Sequence, residues 1–253
     1  MGYVVVVGGA GGIGSVTVRR LLADGHGAAV IDAAPVEAAD ERLDPIRREY
    51  GEVPYVRADI TSQQSVEEAF DAIPSFDRVV VSAAIVQEEP FLEVSHDVFR
   101  KHLDINVYGS FNVGQAAAKR FRRDGTEGRM VFFSSWVQDY PWPDITSYSV
   151  SKAGVKQLVK MMARELAPLK IRVNAIAPGI VDSGMARYSL DHDPKYAARV
   201  NGRIPLDELQ QPEDIAAGVS YLLSEDAQAV TGTTLLVDGG LSLFKFDAPG
   251  AEE

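Results

Sequence analysis

Seven short apolar runs recur along the chain, with amphipathic stretches between them. YVVVVG (3–8), AAVID (28–32), VPYVRAD (53–59), RVVVSAA (78–84), RMVFFSS (129–135), IRVNAIAP (171–178) and TTLLVDGG (233–240) are rich in β-branched and aromatic residues and predict strands. These runs are nearly continuous rather than alternating, as a parallel sheet covered on both faces requires. Helical periodicity predicts helices near 13–24, 36–50, 63–73, 95–123, 147–168 and 212–224. Strand and helix alternate strictly, which specifies an α/β fold: a doubly wound, seven-stranded parallel sheet in a single domain spanning 1–253. The rhythm breaks at about 184–210, a long insertion that predicts a substrate loop carrying at least one short helix. The last residues, FKFDAPGAEE, read as a polar tail.

Composition narrows the function classes. A net charge of −11 repels phosphate backbones and argues against a nucleic-acid partner. No apolar run reaches the length of a membrane span, so no membrane partner is expected. MGYVVVVGG lacks a basic leader, and Val6 stands where N-myristoylation needs Ser or Thr. The absence of cysteine removes disulfides, thiolate catalysis and zinc–sulfur sites, and fits a cytoplasmic location. His26, His96, His102 and His192 lack metal-ligand spacing, and no metal is expected.

VVVVGGAGGIGSVTVRRLL reads as strand, glycine-rich turn and helix start. Gly8, Gly11, Gly12, Ile13 and Gly14 form the turn, where glycines let the backbone approach a pyrophosphate at a helix N-terminus. AAVID then ends at Asp32, whose carboxylate suits the hydroxyls of an adenosine ribose. Together these features give the Rossmann-type signature of dinucleotide binding. Asp32 would meet a 2′-phosphate with like charge, no basic residue follows it directly, and Gly11 rather than Arg occupies the turn. The expected cofactor is therefore NAD rather than NADP.

Tyr148 and Lys152 in TSYSVSK lie one turn apart on one helix face. Alone, the pair is as readily surface decoration as an acid–base centre. The wider pattern resembles the short-chain dehydrogenase/reductase family, from GGAGGIG through YSVSK and NAIAPG to TGTTLLVDGG. The resemblance implies a catalytic set of Asn106, Ser135, Tyr148 and Lys152. Tyr148 would exchange the proton of an alcohol or ketone, and the Lys152 charge would favour its phenolate. Ser135 would orient the substrate oxygen, and Asn106 would hold a water relaying protons through Lys152. The resemblance also assigns cofactor contacts to Tyr148 and Lys152, to Asp59 and Ile60, and to Ala83 and Ala84. It adds Pro178, Gly179, Val181 and Ser183 near the nicotinamide.

Three departures from the family pattern stand out. Val7 and Ala83 replace a facing Thr and Asn, which predicts a compensated apolar contact. Ile85 replaces a common glycine and narrows the space beside the nicotinamide ribose. Asp207-Glu208 replaces a frequent Gly-Arg.

SSWVQDYPWPDITSYSVSK, with the late LSLFKF, resembles bacterial glucose 1-dehydrogenases within the family, which implies oxidation of a sugar at its anomeric carbon. Trp136, Gln138, Asp139 and Trp142 fit a polyol, or else they pack the loop. Alternatives are dehydrogenases or reductases of 3-oxoacyl, steroid or other secondary-alcohol substrates, and a non-catalytic NAD-binding sensor. A serine hydrolase is excluded because Ser135 lacks the G-x-S-x-G elbow. The helices near 100–121 and 148–168 are apolar on more than one face, and the family pairs them, so a homodimer or homotetramer is expected.

Overall fold

The computed structural model describes residues 2–243, the side chain of Met185 apart; the predicted polar tail lies outside the described residues. The strands are β1 (Tyr3–Val7), β2 (Ala28–Asp32), β3 (Tyr55–Arg57), β4 (Phe76–Val81), β5 (Arg129–Phe133), β6 (Arg172–Pro178) and β7 (Thr234–Val237). All pair in parallel, in the order β3-β2-β1-β4-β5-β6-β7. Strand order reverses between β1 and β4, and the crevice beyond their carboxyl ends is where such sheets bind ligands.

The continuous apolar runs follow from the two covered faces. In β1, Val5 and Val7 enter a core with α3 (Gln63–Asp71), α5 (Gly109–Asp124) and α6 (Thr146–Leu166), through Phe70, Phe121 and Val159. Val4 and Val6 point the other way, toward α1 (Gly12–Ala23), α2 (Val36–Tyr50) and α9 (Pro212–Leu223), through Leu21, Leu43 and Val219. No helix of the described residues is long and apolar enough to cross a membrane.

Of three elements, the first and last differ from expectation and the second agrees with it. The helix predicted over 95–123 is α4 (His96–His102), a π-helical segment at Leu103–Tyr108, and then α5. The insertion at 184–210 contains two short helices, α7 (Gly184–His192) and α8 (Pro194–Val200). The last strand stops at Val237 rather than 240. Gly239 and Gly240 take left-handed φ values of 62° and 86°, and the Asp238 carboxylate accepts the Gly240 and Ser242 N–H groups. Asp207, where the family often has glycine, keeps a left-handed φ of 59°.

At the sheet's switch point, Val7 is buried in the core and Ala83 packs against the same cluster. The polar tie between β1 and β4 is supplied by Ser82, whose hydroxyl reaches the Val7 carbonyl at 3.1 Å and the Gly8 carbonyl at 3.2 Å. Replacing Val7 with Thr puts a hydroxyl into an apolar contact. Urea denaturation should show Val7→Thr destabilised by about 1 kcal/mol; a gain of that size would overturn the apolar pairing.

Candidate active site

One strand end, one helix start and a π-helical segment bring the candidate residues together. Ser135 follows β5 in an extended conformation and is buried. Tyr148 sits in the first turn of α6 and lines the same cavity as Ser135. Lys152, one turn later, is only 3% exposed. Its ammonium donates to the Phe133 carbonyl at 2.8 Å and lies 5.4 Å from the centre of the Tyr148 ring. Sequence reasoning missed Ser134, whose hydroxyl reaches the Lys152 carbonyl at 3.0 Å and the Gln138 Oε1 at 2.6 Å. The Ser134-Ser135 pair in the sequence was the available signal, because the two side chains leave the end of β5 on opposite sides.

Asn106 is buried in the π-helical segment, a feature frequent at functional sites. Its Oδ1 accepts the Ile85 N–H at 2.8 Å, while Nδ2 donates to the Ile85 carbonyl and to Ser151 Oγ, each at 2.9 Å. Ser151 in turn donates to the Tyr148 carbonyl at 2.7 Å. Asn106 thus fixes the segment after β4 to the start of α6. Among the described residues, no hydrogen bond joins it to Lys152. Ile85 is held through both of its backbone groups and lines a cavity at the switch point.

That cavity, about 490 Å³, opens at the switch point. Gly8, Gly11, Asp32, Asp59, Ile60, Ala83 and Ala84 all line it. The glycine turn is closely built. Gly8 has φ of 85°, a Cβ on Gly14 would fall 2.1 Å from the Gly8 carbonyl oxygen, and one on Gly12 would fall 2.5 Å from Ser183 Oγ. A cradle that no Cβ could enter, at the N-terminus of α1, fits a dinucleotide pyrophosphate. Asp32 accepts the Ala10 N–H at 3.0 Å and the Ala34 N–H at 3.1 Å, which orients its carboxylate at the cavity wall. Asp59 is oriented by Thr61, through its N–H at 2.9 Å and its hydroxyl at 2.8 Å. Arg42, on α2, lines the same cavity and was not foreseen. Ile13 packs against the core, Val181 is buried in it, and Pro178 ends β6 without lining either cavity.

A second cavity, of about 140 Å³, contains Ser135, Tyr148 and Gly179 together with Trp136 and Trp142. Both indoles also belong to a buried cluster with Tyr196, which agrees with the loop-packing reading. Gln138 and Asp139 are corrections. Gln138 is committed to Ser134 rather than to the cavity, and Asp139 is paired with Lys156 at 2.5 Å. In the LSLFKF segment, Leu241–Leu243 form a short 3-10 turn, and Phe244 onward lies outside the described residues.

Burial sets the proton affinities here. It pushes the Tyr148 phenol up to about 12, with the Ser135 hydrogen bond pulling the other way. It pulls the Lys152 amine down to about 7. Neutral tyrosine is suited to donate to a carbonyl. Abstraction from an alcohol needs positive charge nearby, which Lys152 supplies when protonated. An unfolded chain keeps the lysine proton up to about 10.4, so between about 7 and 10 the unfolded state binds more protons and stability rises with pH. Below about 7 both states are protonated, and this contribution is flat. Denaturation at pH 7 and pH 9.5 should therefore show a steeper rise for the wild type than for Lys152→Met. Parallel changes would mean that Lys152 keeps an ordinary proton affinity.

This geometry has counterparts in known proteins. A family model described as enoyl-(acyl carrier protein) reductase matches residues 8–242. The chain is 35% identical to 3beta-hydroxysteroid dehydrogenase 1 of Eggerthella lenta, over 95% of this chain and 94% of that one. It is 34% identical to L-2,3-butanediol dehydrogenase of Corynebacterium glutamicum, over 94% and 97%. A candidate 2-deoxy-D-gluconate 3-dehydrogenase from Agrobacterium tumefaciens, solved with bound NADP, superposes with a TM-score of 0.88 at 29% identity, covering 96% of this chain and 97% of that chain. The chain belongs to the short-chain dehydrogenase/reductase family, oxidoreductases that act on alcohols and carbonyls with a nicotinamide cofactor.

Proposed function

We propose that this chain is an NAD-preferring dehydrogenase/reductase that interconverts an alcohol and its carbonyl. The carrying observation is that Ser135 and Tyr148 line one cavity, with the buried Lys152 amine 5.4 Å from the tyrosine ring. When bound, the nicotinamide accepts or returns the hydride. Tyr148 takes up or donates the hydroxyl proton, and Ser135 positions the reacting oxygen. Lys152 tunes Tyr148, and Asn106 positions both through Ser151 and Ile85. A role for Asn106 in holding a relay water toward Lys152 belongs to this reading. Gly8, Gly11, Gly12, Ile13 and Gly14 would carry the pyrophosphate. Asp32, Asp59 and Ile60 would hold the adenosine end, and Ala83, Ala84, Tyr148, Lys152, Pro178, Gly179, Val181 and Ser183 the nicotinamide end.

An intact Ser135, Tyr148 and Lys152 set favours turnover over a binding-only sensor. Oxidation of a sugar at its anomeric carbon is less well supported, because Gln138 and Asp139 are committed to Ser134 and Lys156. A cytoplasmic location agrees with the lack of cysteine. A homodimer or homotetramer is supported by Phe111, Val150 and Met161, large apolar residues of α5 and α6 that remain exposed.

NAD is preferred in this reading because Asp32 lines the cofactor cavity, where a 2′-phosphate would meet its charge. A relative fold that binds NADP makes the choice worth measuring. Initial rates with both cofactors should give a higher kcat/KM with NAD. Asp32→Ser should move the ratio toward NADP, since Arg42 then faces the phosphate unopposed; a wild-type preference for NADP would refute the assignment. Separately, Tyr148→Phe should lower kcat by about 100-fold or more while leaving NAD binding intact. Near-normal turnover in that variant would remove Tyr148 from the chemistry.

A further inference from the structure

The substrate-side cavity carries one group that the reaction does not use. Glu88, in the segment after β4, is the only formally charged residue among its described lining residues. An aromatic wall connects it to the reaction centre. Trp136 adjoins Ser135 in the chain and meets Trp142 edge-on at 5.4 Å. Trp142 meets Tyr196 edge-on at 6.1 Å. Glu88 lines the same cavity as Tyr196, and the Tyr196 phenol is pushed up to about 12, by burial first and then by the Glu88 charge.

Asp144 is paired with Arg199, Asp182 and Asp191 with Arg187, and Asp139 with Lys156, while Glu89 accepts from Gln87 Nε2 and the Ser95 N–H. Among the described residues no Lys or Arg pairs with Glu88. Its one hydrogen bond is from Ser189 Oγ on α7, at 3.5 Å, the outer limit for such a contact. An ionised carboxylate has about four acceptor sites, so most of its capacity faces the cavity rim and solvent. The cavity also limits size. At about 140 Å³ it is well below the roughly 300 Å³ at which drug-sized ligand sites begin, so it does not enclose a steroid nucleus or a long acyl chain.

We propose that Glu88 is a substrate-recognition residue: it accepts a hydrogen bond from a hydroxyl or ammonium group at the far end of a small secondary alcohol or ketone, whose apolar body lies against Trp136, Trp142 and Tyr196. The proposal rests on the dehydrogenase reading above. A single donor group is specified because the polar side chains that could serve a polyol, Gln138 and Asp139, are bonded within the protein. The two head groups make different use of the wall. An ammonium gains from the aromatic faces as well as from the carboxylate, whereas a hydroxyl depends on the hydrogen bond alone.

The test is steady-state kinetics of the full chain with NAD on hexane-1,5-diol, 6-aminohexan-2-ol, 6-methoxyhexan-2-ol and hexan-2-ol, and with NADH on the matching ketones. The wild type should favour at least one of the first two over the last two by about tenfold or more in kcat/KM, the range of a charge-assisted hydrogen bond. Glu88→Ala should reduce that ratio to near unity. Glu88→Gln keeps an acceptor oxygen but no charge; it should retain a preference for the diol and lose one for the amine, which identifies the head group. Turnover of all four with equal kcat/KM in the wild type, or a preference that survives Glu88→Ala, would overturn the role of Glu88 and leave the dehydrogenase reading intact. No turnover in either direction would overturn both.

Discussion

The site depends on one buried contact, the Lys152 ammonium against the Phe133 carbonyl at 2.8 Å. An amine that is 3% exposed and has no ionic partner among the described residues is expensive to keep charged, and burial lowers its proton affinity accordingly. The hydrogen bond offsets part of this cost and also fixes geometry, because it fastens the first turns of α6 to the end of β5. Ser134 makes a second link between the same elements through the Lys152 carbonyl. Ser135 and Tyr148 reach one cavity because their two backbones are already locked together. A third link, Asn106 through Ser151 to the Tyr148 carbonyl, ties the same helix to the segment after β4. The two hydroxyls therefore sit where hydrogen bonds hold the chain on both sides.

The switch point of the sheet places the cofactor cavity beside this centre. β1 and β4 are neighbours in space but far apart in the chain, and their carboxyl ends must approach closely without clashing. Gly8 permits the approach, since a Cβ there would lie 2.5 Å from the Ala83 nitrogen. Val7 and Ala83 fill the contact with apolar atoms, while Ser82 supplies the polar tie from a different position. The junction therefore retains a hydrogen-bonded link although Thr and Asn are absent from the expected places. Ile85 then stands in the cavity wall with both its backbone groups held by Asn106, so its bulk has little freedom to withdraw.

Sequence pattern revealed the elements whose physics is local. Seven apolar runs marked the seven strands because both faces of each are covered, and the glycine turn was visible because only glycine tolerates its backbone and its crowding. Spacing also brought Ser135, Tyr148 and Lys152 together. Other features depend on distant partners and left weaker traces. The π-helical segment at Leu103–Tyr108 does not interrupt apolar periodicity, so α4 and α5 read as one helix. Gln138 and Asp139 had the composition of a polyol site, but their partners, Ser134 and Lys156, decide where they point. Arg42 reaches the cofactor cavity from the far side of α2, and Tyr196 reaches the substrate side from an insertion whose path no periodicity specifies. Asp207 shows the reverse case: its left-handed backbone is retained although the side chain does not favour it, so the surrounding chain sets the conformation.

The two cavities are built from different material, and this separates chemistry from selectivity. Ser135, Tyr148 and Lys152 are fixed by β5 and α6, with hydrogen bonds to backbone carbonyls that any neighbouring side chain leaves unchanged. The outer wall of the substrate cavity comes instead from the segment after β4, the Trp136–Trp142 loop and the insertion bearing α7 and α8. These segments touch one another through side chains, namely the Trp136, Trp142 and Tyr196 rings, Arg199 over Trp142, and Glu88 with Ser189, and through a backbone bridge between Glu89 and Ile145. Changing them alters the space and polarity offered to a substrate without moving the hydroxyls that react. The same division explains why the reaction type can be argued from the family resemblance of the motifs, whereas the substrate has to be argued from what faces the cavity.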